Sequence, residues 1–141
     1  MIVVDASVWV AVFVARDVYH ASSDRWLSGW NIAGGTVIVP TLLIPEMAGA
    51  IARQTGDTGL VATVTGDLRD DPTVRFVALD VVLARDAATI AANLKLRGAD
   101  AVYVALAQRE DVPLVTWDRE QLSRAKGVIA VATPDDAPRQ P

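Results

Sequence analysis

Short apolar runs alternate along the chain with longer stretches of helical periodicity. The runs are rich in β-branched residues and predict five strands, at 2–4, 36–39, 74–79, 113–116 and 128–131. Between them, the spacing of apolar positions predicts seven helices. These are 7–15, 21–32, a helix with Pro45 in its first turn that runs to about Gln54, 60–68, 81–97 with Gly98 as its C-terminal stop, 100–108 and 118–125.

Strands that alternate with helices predict a parallel sheet, because a parallel connection needs a crossover that is usually a helix. The expected fold class is therefore α/β, a three-layer α/β/α sandwich whose central parallel sheet has four to five strands. A single domain is expected over residues 1–132. Residues 133–141 contain three prolines and little apolar material, so they are expected to form a loose C-terminal tail.

The amino-acid composition excludes several classes of protein. The 141 residues include no cysteine, which excludes disulfide scaffolds, zinc fingers and thiol proteases. The first residues lack the basic flank and long apolar core of a signal peptide, and no apolar run is long enough to cross a bilayer. The expected location is the cytoplasm.

The chain is acidic, with a net charge of −4 from 13 basic and 17 acidic residues. This balance argues against a protein that simply coats nucleic acid, which would be basic. It does not argue against a nuclease, because a bound divalent cation changes the charge where the substrate docks.

Aspartates follow three of the predicted strands. Asp5 comes directly after the first strand, Asp80 after the third and Asp118 after the fourth. Ligands of open parallel sheets bind beyond the carboxyl ends of the strands. One such aspartate is unremarkable, since aspartate is common in turns and at helix N-caps, but several together indicate a metal site.

Four segments resemble the motifs of the PIN-domain nucleases, in the family's order. In this chain they are Met-Ile-Val-Val-Asp-Ala-Ser at 1–7, Val-Pro-Thr-Leu-Leu-Ile-Pro-Glu-Met-Ala at 39–48, Arg-Gly-Ala-Asp-Ala-Val-Tyr-Val-Ala-Leu-Ala at 97–107 and Leu-Val-Thr-Trp-Asp at 114–118. Their spacing is similar to that of compact bacterial VapC-like toxins, and the resemblance covers nearly all of residues 1–132. One departure is Gly49, where the family often has asparagine three residues after the motif glutamate.

The resemblance implies a set of site residues. It implies that Asp5, Glu46, Asp100 and Asp118 bind Mg²⁺, with Mn²⁺ as a possible substitute, and take part in catalysis. Thr116 and Ser7 are implied as supporting catalytic residues. Mg²⁺ prefers hard oxygen ligands and retains several waters, so a few carboxylates suffice to bind it.

The resemblance also implies a function and partners. The implied activity is that of a metal-dependent endoribonuclease that hydrolyses RNA phosphodiester bonds. The chain would be the toxin of a VapBC-type pair, restrained by a cognate VapB-like antitoxin that occupies the active-site groove, and a homodimer.

Three other functions fit parts of the pattern. A haloacid-dehalogenase-type phosphatase would begin similarly but normally has a second aspartate at the position of Ser7. A phospho-receiver domain would use a strand-end residue such as Asp80 and a later lysine, which does not follow the last strand. A PIN-fold binding module without catalytic activity is the third alternative.

Several residues near the motifs have simpler interpretations. Asp80 is expected to be a helix cap, while Glu120, Asp135 and Asp136 are expected to be solvated, although any of these last three could approach the acidic site. For Trp117, packing is favoured over base stacking. Arginines such as Arg97 and Arg53 could contact phosphates, but a solvated surface role is the simpler interpretation.

Overall fold

A computed structural model describes residues 1–141 and contains one five-stranded parallel sheet. The strands are β1 (Ile2–Val4), β2 (Val37–Pro40), β3 (Val74–Val77), β4 (Leu114–Val115) and β5 (Val131–Ala132), in the spatial order β3-β2-β1-β4-β5. The helices are α1 (Ala6–Phe13), α2 (His20–Ile32), α3 (Leu43–Thr55), α4 (Thr58–Asp70), α5 (Val81–Leu94), α6 (Gly98–Glu110) and α7 (Arg119–Arg124). The predicted α/β fold class with a central parallel sheet is confirmed.

The sheet separates two hydrophobic cores. Along β1, Ile2 and Val4 pack into the core that contains α1, α2 and α3, whereas Val3 packs into the core built by α5 and α6. Successive side chains of a strand point to opposite faces, so a run buried on both faces must be apolar throughout. This explains why the central strands are continuous apolar runs and why helices form an outer layer on each face.

The boundary between α5 and α6 differs from the sequence prediction. The predicted helix 81–97 with Gly98 as its terminator is wrong, because α5 ends at Leu94 and Lys95 takes the left-handed conformation with φ of 55°. Gly98 instead begins α6, and Arg97 is its N-cap residue. Arg97 and Asp100 therefore lie together at the start of one helix.

The last strand also lies later than predicted. The backbone N–H groups of Val128 and Ile129 both donate to Ala125 O, which makes this segment a turn after α7 instead of a strand. The strand β5 follows at Val131–Ala132 and pairs with β4.

Part of the segment expected to be a loose tail contacts the domain. Ala137 is only 6% exposed and belongs to the core beside α2, and Trp26 Nε1 donates to Pro138 O at 3.0 Å. These two contacts, the packing of Ala137 and the hydrogen bond from Trp26, hold this part of the C-terminal segment against the domain. No helix has both the length and the apolar character that crossing a membrane would require.

Candidate active site

Asp5 follows β1 at the carboxyl edge of the sheet and is only 5% exposed. Its Oδ2 accepts hydrogen bonds from Ser7 N at 3.0 Å, Ser7 Oγ at 2.6 Å and Thr116 Oγ1 at 3.1 Å. Its Oδ1 accepts from Gln121 Nε2 at 3.2 Å. Because a buried carboxylate is costly without donors, these four bonds stabilise the charge and fix its orientation.

The hydroxyls of Ser7 and Thr116 also connect β1 to the loop after β4. Thr116 Oγ1 accepts from Asp118 N at 2.9 Å, and Ser7 Oγ accepts from Trp117 N at 3.0 Å. The two strands are neighbours in the sheet, so residues that follow them meet at the same edge. Each hydroxyl thus joins Asp5 to the segment that carries Asp118.

Asp118 and Asp100 share one arginine. Asp118 Oδ1 caps α7 by accepting from two of its backbone N–H groups, while its Oδ2 accepts from Arg97 Nη2 at 3.2 Å. Asp100 Oδ2 accepts from Arg97 Nε at 2.8 Å. Asp118 is thus the N-cap residue of α7, whereas Asp100 lies in the first turn of α6 and is not its cap. Hydrogen bonding to Asp100, and the charges of both aspartates, raise the pKa of Arg97.

Glu46 projects from the first turns of α3 and accepts a hydrogen bond from the buried Tyr103 hydroxyl at 2.7 Å. Desolvation raises the pKa of Glu46, the Tyr103 bond opposes this, and the charges of Asp5 and Asp100 add to the increase. Burial also raises the pKa of Asp100, against the opposing effect of Arg97. The acidic side chains therefore interact electrostatically with one another.

One cavity of about 470 Å³ joins these groups. Five of the six predicted site residues line it: Asp5, Ser7, Glu46, Asp100 and Asp118. The sixth, Thr116, is fully buried and bonded to Asp5. The carboxylates come from four separate parts of the chain, so their meeting in one cavity is a consequence of the fold.

The donors at this cavity suit a divalent metal such as Mg²⁺, since all are hard carboxylate or hydroxyl oxygens. In the present arrangement, however, no three acidic side chains are positioned to hold one ion. Asp100 and Asp118 are instead bonded to the Arg97 guanidinium. The carboxylate and hydroxyl oxygens are thus chemically suited to a metal ion, but in this structure Arg97 is the cation that pairs with Asp100 and Asp118.

The other acidic residues considered from the sequence lie elsewhere. Asp80 caps α5 by accepting from Leu83 N at 2.8 Å, as predicted. Glu120 pairs with Arg124, and Asp136 accepts from Thr133 Oγ1. Asp135 lines a different cavity, beside α2.

Sequence reasoning missed three contacts within the candidate site. Tyr103 lies one helical turn after Asp100, a spacing that could have indicated a shared face. Gln121 is fully buried beneath Asp5, and a glutamine in a short polar helix gives no sign of that burial. Arg97 was considered only as one surface arginine among several, because its link to Asp118 depends on the relative positions of α6 and β4.

A comparison with family models matches residues 2–128 to the PIN domain. No curated protein matches the chain in a sequence comparison. Solved structures with a similar fold include Mycobacterium tuberculosis VapC20, a toxin that cleaves the sarcin-ricin loop. It is 20% identical, with a TM-score of 0.76 over 87% of this chain and 94% of that one.

Two further solved structures are also similar in fold. FitAcB from Neisseria gonorrhoeae is 19% identical, with a TM-score of 0.73 over 97% of this chain and 100% of that one. VapBC2 from Rickettsia felis, bound to a DNA fragment from its promoter, is 11% identical, with a TM-score of 0.70 over 94% and 98%. At these identities the structures establish a shared fold and nothing more.

Proposed function

This chain belongs to the PIN-domain family, and on that premise we propose that it is a metal-dependent endoribonuclease. The observation that carries the proposal is the convergence of Asp5, Glu46, Asp100 and Asp118 on one cavity at the carboxyl edge of the sheet. The similarity to VapC20, a toxin that cleaves the sarcin-ricin loop, supports RNA as the substrate.

Asp5, Asp100 and Asp118 are the residues that would hold Mg²⁺ or Mn²⁺, with Glu46 completing the set. When bound, such an ion would supply a more acidic water as the nucleophile and charge stabilisation for the phosphodiester oxygens. Bringing these carboxylates together without a cation is costly, because unit charges 4 Å apart repel by about 4 kcal/mol at an effective dielectric near 20.

The chain's own residues orient these ligands. Ser7, Thr116 and Gln121 donate to Asp5 and fix both of its oxygens. The Tyr103 hydroxyl donates to one oxygen of Glu46, Oε2. Residues that orient metal ligands in this way commonly affect metal affinity or activity about 10- to 100-fold.

RNA cleavage by the purified protein in Mg²⁺, in Mn²⁺ and in chelator tests the proposal. We expect cleavage only with metal, and its loss in Asp5→Asn, which preserves the size of the side chain but removes its charge. A matched control is Asp67→Asn, at an exposed site on α4 outside the cavity, which should cleave like the wild type.

Other outcomes would point to the alternative functions. Hydrolysis of small phosphate esters without RNA cleavage would support the haloacid-dehalogenase-type phosphatase. The absence of any cleavage with either metal, in a folded protein, would support a binding module that retains the PIN fold.

We further propose that the chain is a VapC-like toxin, held in check by a VapB-like antitoxin, and that it forms a homodimer. The support is the fold shared with VapBC2 of Rickettsia felis and with a toxin-antitoxin complex from Klebsiella pneumoniae. The acidic cavity would suit a basic side chain of the antitoxin, as its pairing with Arg97 illustrates.

This second proposal has its own test. The neighbouring gene should encode a small protein with a DNA-binding segment, and co-expression should relieve growth inhibition and block cleavage in vitro. Light scattering of the purified chain would measure the oligomeric state. An active nuclease with no inhibitory neighbour would remove the toxin assignment and leave the nuclease intact.

A further inference from the structure

Two aromatic rings form part of the wall of the carboxylate cavity. Tyr19 and Trp117 both line it, and their rings stack with centroids 4.1 Å apart and planes inclined by 12°. Trp117 is half-buried and packs against the core, whereas Tyr19 remains 38% exposed. One face of the Tyr19 ring is therefore covered by Trp117, while more than a third of the residue stays accessible at the cavity wall.

The inner ring of this pair is firmly positioned. Trp117 Nε1 donates to Ser23 Oγ at 2.8 Å, and Ser23 is fully buried in α2. The backbone N–H of Trp117 donates to Ser7 Oγ, which in turn donates to Asp5. The orientation of Trp117 is thus coupled to the carboxylate that we propose as a metal ligand.

The outer ring is held at the start of α2. Tyr19 is the residue before the helix, and its backbone N–H donates to Asp17 Oδ1 at 2.8 Å. Little conformational freedom of the backbone would be lost when a ligand stacks on this ring. A pre-positioned aromatic surface costs less to bind than a flexible one.

The charge of the cavity limits how nucleic acid can bind. Five carboxylates line it (Asp5, Asp17, Glu46, Asp100 and Asp118), against two arginines (Arg53 and Arg97). Attraction of phosphates to this surface is weak without a metal. Base stacking on an aromatic ring does not depend on opposite charges and tolerates any base.

We propose that Tyr19, supported by Trp117, is a stacking site for one unpaired nucleobase of the RNA, next to the phosphodiester to be cut. The inference rests on the proposed nuclease function for the identity of the ligand. It goes beyond that function by assigning a base-stacking subsite to Tyr19, which paired bases cannot occupy because a base within a duplex cannot offer its face to the ring.

Binding of a labelled single-stranded oligoribonucleotide in chelator, measured by fluorescence anisotropy, tests the proposal without cleavage. We expect Tyr19→Ala to weaken binding by about fivefold or more and Tyr19→Phe to stay within about twofold of the wild type, because phenylalanine keeps the ring. The loss in Tyr19→Ala should persist when salt is raised, whereas contacts with phosphates weaken. Ile32→Ala, at an exposed apolar residue outside the cavity, is the matched control and should bind normally.

A second arm uses RNA with abasic positions. An RNA that lacks the stacked base should bind wild type and Tyr19→Ala equally. In the metal-loaded enzyme, Tyr19→Ala should raise KM more than it lowers kcat. Equal RNA binding by wild type and Tyr19→Ala, or an equal loss with intact and abasic RNA, would overturn the proposal.

The two proposals fail in distinguishable ways. If the wild type cleaves RNA with metal and Tyr19→Ala binds and cleaves RNA equally well, the stacking site is wrong and the nuclease proposal stands. If the wild type never cleaves RNA, but Tyr19→Ala binds RNA more weakly than the wild type and Tyr19→Phe does not, the nuclease proposal is wrong and the stacking site stands. Single- and double-stranded RNA that bind the wild type equally would contradict a subsite that paired bases cannot occupy.

Discussion

Asp5 and the Asp100–Asp118 pair line the same cavity but are held in different ways. Asp5 is buried and accepts hydrogen bonds only from neutral donors. Asp100 and Asp118 are more exposed and share a guanidinium whose own side chain is 73% exposed. A neutral donor can remain bonded when a metal arrives, whereas a cation must give way to another cation.

The difference separates a fixed side of the site from an exchangeable one. Neutral hydrogen bonds hold Asp5 in place without competing for its charge. The exposed ion pairs of Arg97 are weak enough to be broken, since such pairs commonly contribute between 0 and about 1 kcal/mol. We therefore expect substitutions on the Asp5 side to weaken activity and stability, and substitution of Arg97 to strengthen metal binding.

Among residues other than the proposed metal ligands, the largest effect is expected at the fixed side, in Thr116→Val. Valine has a similar shape but cannot donate to Asp5 or accept from the Asp118 N–H. We expect kcat/KM for RNA cleavage to fall about 10- to 100-fold. Urea unfolding should show a loss of about 1–3 kcal/mol, because the partly buried backbone N–H of Asp118 and the buried carboxylate of Asp5 each lose a partner. Thr116→Ser keeps the hydroxyl and should retain most of the wild-type kcat/KM and most of the wild-type stability. Equal losses of activity and stability in Thr116→Val and Thr116→Ser would contradict a role for the hydroxyl.

The next effect concerns stabilisation by metal on the exchangeable side. A ligand that binds only the folded state stabilises it by RT ln(1 + [L]/Kd), so saturating Mg²⁺ or Mn²⁺ should raise the melting temperature of the wild type. Asp100→Asn removes a proposed ligand and should abolish most of that shift. Asp67→Asn, on the exposed surface of α4, should shift like the wild type. Equal shifts in wild type and Asp100→Asn would show that the metal binds elsewhere.

The contrast between the two sides also marks the limit of sequence inference. Asp5 and Asp118 could be predicted because each follows an apolar strand, and strands of a parallel sheet present their carboxyl ends at one edge. Glu46 and Asp100 came from the family resemblance, since neither follows a strand. The partners of these carboxylates could not be predicted, because the Arg97–Asp118 and Gln121–Asp5 bonds depend on how helices pack against the sheet.

Errors at element boundaries arose where a local sequence signal had more than one structural meaning. Gly98 is a typical helix terminator, and the prediction placed it at the end of α5. In the structure Lys95 takes the left-handed conformation that glycine favours, and Gly98 opens the next helix. The parallel sheet between two helical layers could be predicted from apolar runs and crossover rules, which depend on many residues and tolerate such local errors, whereas the strand order came only from the structure.

A smaller effect is expected from Arg97→Gln. Removing the guanidinium frees Asp100 and Asp118, so Mg²⁺ no longer has to break two ion pairs on binding. We expect calorimetric titration to give a Kd for Mg²⁺ about two- to fivefold lower than that of the wild type. Arg97→Lys retains a cation and should lie between the two. Weaker metal binding in Arg97→Gln would mean that the arginine helps to form the site instead of competing with the ion.

The smallest effect is expected at Glu46, whose pKa is raised chiefly by desolvation. Because this carboxyl binds its proton more tightly in the folded than in the unfolded protein, metal-free wild type loses stability as pH rises through the raised pKa of Glu46. Below the ordinary pKa of glutamate the carboxyl is protonated in both states, and this loss is absent. Glu46→Gln keeps the bond from Tyr103 but does not titrate.

Melting temperatures in chelator from pH 4 to pH 8 would measure this difference. Relative to wild type, Glu46→Gln should gain stability as pH rises through the raised pKa of Glu46 and then level off, by roughly a few degrees at neutral pH. Tyr103→Phe removes the donor that opposes the shift, so the loss of stability with rising pH should extend to higher pH and become larger in that variant. Asp100 is present in all three proteins, so its contribution to the pH dependence of stability largely cancels when they are compared. A difference between Glu46→Gln and wild type that does not change with pH would mean that Glu46 is not destabilised by its burial, and that this side of the cavity is already adequately solvated.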